Sequence, residues 1–110
     1  MALKLNIFRT ITEVVSTSAT SVYTAPTGYT GVVLLANIAN IDTTSTHTVT
    51  FVHRRSATDT EIVSGFPIAK NDSTNLISGK LFLESGDQLI LSGSNATNLK
   101  AVISILETLN

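Results

Sequence analysis

The sequence predicts an all-β fold, an antiparallel β-sandwich of about eight strands of jelly-roll or related Greek-key type. Three observations predict it. Short apolar and β-branched runs alternate with clusters of Gly, Pro, Asn, Asp and Ser along the whole chain, the spacing of a sandwich or barrel. No stretch keeps a 3.6-residue apolar period for three turns, so no substantial helix is expected. The last third holds three strand-like runs, Lys80–Leu83, Gln88–Leu91 and Leu99–Glu107, separated by the short connection Glu84–Asp87 and the polar bend Ser92–Asn98.

Each element follows from its residues. Leu3–Phe8 alternates Leu3, Leu5 and Ile7 against Lys4, Asn6 and Phe8, a strand pattern. Thr12–Thr17 and Thr20–Thr24 are rich in β-branched residues and extend the series. Ala25-Pro26-Thr27-Gly28 is a turn, because Pro26 fixes φ and Gly28 accepts a left-handed backbone. Thr30–Ile41 is the longest apolar run and is expected at the centre of a sheet, buried on both faces. Asp42–Thr46 is a polar loop. Thr48–Arg54 sets Val49, Phe51 and His53 against Thr48, Thr50 and Val52. Ser56–Thr60 turns, Thr60–Ser64 is a further strand, and Pro67 keeps Gly65–Ile68 extended. Asn71–Thr74 reads as a turn or a short helical bend. The final runs are expected to form a meander, with Leu81 and Leu83 meeting Leu89 and Leu91 across a strand pair.

The 110 residues make one domain, 1–110, large enough for a modest core, with residues 1–9 read as an assembly strand or arm. Cysteine is absent, which removes disulfides, thiolate nucleophiles and Cys-based zinc sites. A net charge of −1 gives no electrostatic case for nucleic acid or an anionic membrane as partner. Only 14% of residues are charged, against about 25% in a typical soluble domain. Ser and Thr supply roughly a quarter of the chain. Such a surface is kept in solution by hydroxyls or hidden against other copies, so a homo-oligomer is expected. No segment has the length of a signal-peptide apolar region or the ~20 apolar residues of a membrane span, so neither export nor a membrane role is expected.

Residues that could carry chemistry do not converge. His47 and His53 would lie on one strand face roughly 20 Å apart, too far to share an ion. His53-Arg54-Arg55 is a small basic cluster without an aromatic platform, better suited to a solvated strand end or a salt bridge with Asp59, Glu61 or Glu84 of a neighbour than to nucleic acid. Asp42, Asp59, Glu61, Asp72, Glu84 and Asp87 fall mostly in turns, with no calcium-loop spacing. No serine sits in a Gly-x-Ser-x-Gly elbow, and no phosphate loop is present. Tyr23, Tyr29 and Phe82 are expected in the core or in a subunit interface. The expectation is a protein that is not an enzyme and needs no cofactor or metal.

Val22-Tyr23-Thr24-Ala25-Pro26-Thr27-Gly28-Tyr29-Thr30 leads into an apolar strand, followed later by Leu76-Ile77-Ser78-Gly79-Lys80-Leu81-Phe82-Leu83-Glu84-Ser85-Gly86-Asp87 and the closing Leu99–Glu107. Across most of residues 20–107 this resembles small all-β virion proteins of tailed bacteriophages, of the kind found in phages of marine bacteria and cyanobacteria. The resemblance rests on turn and strand signatures and implies a structural role with no site residues. It implies an accessory component on the particle exterior, made in the bacterial cytoplasm, which decorates or cements the capsid or sits in the neck or tail. Expected partners are other virion proteins, the major capsid or a tail or neck protein, and further copies of the chain. Candidate interface residues are Leu3, Leu5, Ile7, Phe8, Arg54, Arg55 and Glu107. The alternative is a receptor- or glycan-binding module on a fibre or capsid surface, using Tyr29 and the Asp42–Thr46 and Ser56–Thr60 loops.

Overall fold

Alternation decides the layers. In the closing strand Leu99, Ala101, Ile103, Ile105 and Glu107 are buried, while the residues between them are not. Such period-two burial needs one covered face, and a second sheet provides it. The computed structural model describes residues 4–110, and every element in it is a strand. In chain order these are β1 (Asn6–Val14), β2 (Thr20–Thr24), β3 (Tyr29–Asn40), β4 (His47–Arg55), β5 (Thr58–Ile68), β6 (Asp72–Asn75), β7 (Leu81–Leu83), β8 (Gln88–Gly93) and β9 (Leu99–Leu109).

Two antiparallel sheets stack. The first runs β1-β9-β3-β6, with β7 also paired to β3, and the second runs β2-β8-β4-β5. Val33, Ile38, Ile103 and Ile105 from the first sheet fill the interior with Val49, Phe51, Leu89 and Leu91 from the second. Phe51 is fully buried between the layers. β3 is central, as expected, but its outward face is closed only in part, with Val32 buried and Leu34 exposed. Pro67 lies in β5, an edge strand where a missing N–H can face solvent.

Three expectations are corrected. Leu3–Phe8 and Thr12–Thr17 are not separate strands: β1 runs unbroken from Asn6 to Val14 because every residue pairs in register with β9, from Asn6↔Thr108 to Val14↔Lys100. Leu3 lies outside the described residues. Asn71–Thr74 is not a helical bend. Lys70 and Asn71 make the turn, with Asn71 at φ 58°, and Asp72–Asn75 then pairs with β3, which brings the described strand count to nine.

The third correction is the meander. β7 pairs with Gly31–Val33 of β3 in the first sheet, whereas β8 lies between β2 and β4 in the second. Glu84–Asp87 therefore carries the chain from one sheet to the other, with Gly86 at φ 89° as its left-handed residue. Leu83 and Leu89 belong to the same core from opposite layers. Alternation reads alike whether a strand's apolar face meets a neighbour beside it or a sheet above it, which is why the sequence pattern misled here.

Candidate assembly interface

Register builds the most conspicuous surface. Phe8 of β1 opposes Leu106 of β9, Leu106 opposes Val32 of β3, and Val32 opposes Phe82 of β7. Directly opposed residues share a face, so these four form one apolar row across the outside of the first sheet. Its two ends are bare, Phe8 at 77% and Phe82 at 64% exposure, while Val32 between them keeps only 7%. Val102 and Leu34 add exposed apolar surface on the same side. Among the described residues, Lys100 is the only charged outward position on β1, β9, β3 and β7. The outside of the second sheet differs, since Arg54 on β4 and Asp59 and Glu61 on β5 give it charge.

The sequence-named candidates separate under this geometry. Phe8 belongs to the row. Leu5 is exposed just before β1, its carbonyl accepting from Leu109 N–H at 2.8 Å. Ile7 is half-buried opposite Glu107. Arg54 makes a two-pronged ion pair with Asp59 across the β4–β5 hairpin, and Arg55 pairs with Asp87 and Glu84, so both arginines find carboxylates within the chain.

Glu107 is 1% exposed and is held from two sides rather than offered to a neighbour. Arg9 Nε donates to its Oε1 at 2.8 Å and the Tyr23 hydroxyl to its Oε2 at 2.6 Å. Burial, reinforced by that hydrogen bond, pushes the Tyr23 phenol well above its ordinary pKa, and the carboxylate raises Arg9. Gly31 makes room for this arrangement, since a Cβ there would stand 3.2 Å from the Tyr23 hydroxyl oxygen. The signal was present in the sequence: Glu107 shares the odd parity of Ile103 and Ile105, and Leu106 the opposite one. Leu106 and Val32 were missed because the row exists only once β9 is inserted between β1 and β3.

Each end of the sandwich carries a polar cluster. At one end His47 Nε2 lies 2.8 Å from Asp42 Oδ2, and a carboxylate can only accept, so the ring N–H donates. Thr44 N–H and hydroxyl both donate to Asp42 Oδ1 at 2.8 Å. The Thr44 amide, followed by His47, holds Asp42 far below the usual carboxylate range. Buried Asn40 anchors the same loop by donating to Ser45 and Ile68 carbonyls. At the other end Asp87 is buried and accepts from Arg55 Nη2 at 2.7 Å, His53 Nε2 at 3.0 Å and Glu84 N–H at 2.9 Å. Arg55, and after it His53, hold Asp87 down against the opposing effect of burial.

Tyr23 and Tyr29 are buried, with the Tyr29 hydroxyl donating to Lys4 O at 2.9 Å, whereas Phe82 is exposed. The two loops named for glycan binding sit at opposite ends of β4, about 30 Å apart for a nine-residue strand. The expected Ser56–Thr60 turn contracts to Ser56–Ala57 because Thr58 already pairs with Arg55, and beside it lies an open cleft of about 580 Å³ lined by His53, Arg55, Ser56, Thr58 and Thr60. Among the described residues no three His, Cys, Asp or Glu side chains converge as a metal site. No protein-family model matches the chain, and no curated protein compared with it is significantly similar.

Proposed function

We propose that the protein is a structural subunit of a bacteriophage particle, an accessory component bound on the exterior that acts by packing against other virion proteins and further copies of itself. The observation that carries this reading is the row Phe8–Leu106–Val32–Phe82 on a sheet face with a single charge. A contiguous apolar patch rimmed by hydroxyls is costly to leave in water and marks a surface that something covers. The resemblance of residues 20–107 to small phage virion proteins supplies the particle. The strand orders support a jelly roll: with β6 and β7 counted as one interrupted strand, eight strands divide four and four, and the chain changes sheet at all but one of the connections between them. That architecture is shared with viral capsid domains, an analogy of fold. The test is an antibody raised against the recombinant protein and applied to purified virions. Labelling on the particle surface is expected; absence from purified particles would overturn the proposal.

A glycan-binding reading narrows to the His53–Thr60 cleft, whose hydroxyls and half-exposed Arg55 fit a polyhydroxylated ligand better than either loop does alone. Binding on a glycan array that Thr58→Ala abolishes would favour it.

A further inference from the structure

We infer that the outer face of the first sheet is covered by the same face of a second copy of this chain, as a two-fold pair. The inference rests on the assembly reading above and specifies the partner.

Three features point to self-pairing. The first is the order of the row. Read across β1, β9, β3 and β7 it is Phe, Leu, Val, Phe, nearly the same in both directions. A two-fold axis lying in the interface, parallel to the strands, reverses the strand order while keeping each row at its own height. Phe8 then meets the partner's Phe82, and Leu106 meets the partner's Val32. Large side chains thus pair with large at both margins and aliphatic with aliphatic at the centre, with aromatic pairs where exposure is greatest. Sheets stacked this way pack like the two layers of one sandwich.

The second feature is charge. An isologous contact sets every group against its own kind of surface, so a charged face repels itself. This face carries Lys100 alone among its described outward positions. Under the same axis β9 lies over the partner's β3, and Lys100, which opposes Ala39 within the sheet, faces the partner's Ala39 rather than the partner's Lys100.

The third feature is size. Four strand columns, with β6 continuing β7 along β3, by nine residues cover about 19 by 30 Å in plane. Side-chain relief raises the accessible area above this ~570 Å² towards the ~800 Å² that each partner contributes to a standard interface. The face is large enough for a stable pair and would be half-used by a single docked peptide strand.

Light scattering coupled to size exclusion tests this on the intact chain at about 100 µM, where even a micromolar pair is mostly formed. The wild type is expected at twice the 11.7 kDa of one chain, and Phe82→Asp at 11.7 kDa with an unchanged circular dichroism spectrum. Phe8→Ser serves as a second, milder variant and is expected to shift the equilibrium towards monomer. A wild-type monomer, a ring of three or more, or a pair that neither variant weakens would overturn the inference. The virion reading stands or falls separately: a monomer that still labels purified particles would leave it intact, and a dimer absent from particles would refute it alone.

Discussion

The two ends of β4 each set a histidine against an aspartate, and they do so with different reach. Asp42 is bonded most closely by Thr44 and His47, two and five residues along the chain, and at a longer 3.3 Å by Asn98 Nδ2, so its cluster closes a loop mostly with contacts near in sequence. Asp87 is bonded by His53 and Arg55, 34 and 32 residues away, and its own N–H and that of Glu84 stitch the turn that carries the chain between sheets. One end caps a loop; the other ties the crossover to the second sheet. The same pair of residue types therefore has mainly local consequences at one end and global ones at the other.

Asp87→Ala is the strongest way to break that comparison. It leaves His53 and the turn N–H without their acceptor and is expected to cost about 2–3 kcal/mol, less than a fully buried pair because Arg55 is half-exposed. Urea denaturation measures it, and Asp42→Ala should lose clearly less. Equal losses would mean that the two ends are equivalent. Acid sharpens the contrast further. Both carboxylates titrate lower when folded than the ~3.9 of an unfolded aspartate, so the unfolded chain binds more protons below that value. Their stabilisation is complete above about pH 5 and declines as the pH falls through the unfolded value towards the folded ones. Melting temperature should therefore drop between pH 5 and 2.5, and drop less steeply in Asp42→Asn and Asp87→Asn than in the wild type. Parallel profiles for all three would remove the electrostatic account.

The smallest expected effect lies in the tight β4–β5 turn beside the Asp87 cluster. Ser56 adopts φ 57°, a left-handed conformation in a hairpin position that favours glycine. Ser56→Gly is expected to be neutral to stabilising by about 0.5 kcal/mol, since relief of the strain outweighs the added chain entropy. A clear loss would show that the Ser56 side chain contributes to the neighbouring cleft.

The strands, their alternation and most of their turns were legible in the sequence because period-two patterning and residues such as Gly28 and Gly86 act locally. What was not legible is partnership. Leu81–Leu83 and Gln88–Gly93 look like a hairpin, and only the bonds of Asp87 and the pairing of β7 with β3 separate them into different sheets. Of the interface candidates, Phe8 could be named from its strand, but its companions Leu106, Val32 and Phe82 come together from three other strands up to 98 residues away in sequence. Glu107 was misplaced for the converse reason. A carboxylate near the chain's end reads as surface until Tyr23 and Arg9 are seen to close over it.

The pairing of β1 with β9 has a kinetic consequence. Among the described strands the first in chain order pairs with the last, and the Arg9–Glu107 bond spans 98 residues. β9 also completes the sheet on the side of β3, so the first layer cannot close until β9 has joined it. Folding is then governed by long-range loop closure, with the millisecond-to-second times of non-local β topologies. Until β9 arrives, β1 and the edge of β3 are unpaired templates, and the few charges of this chain give them little protection from neighbouring nascent chains.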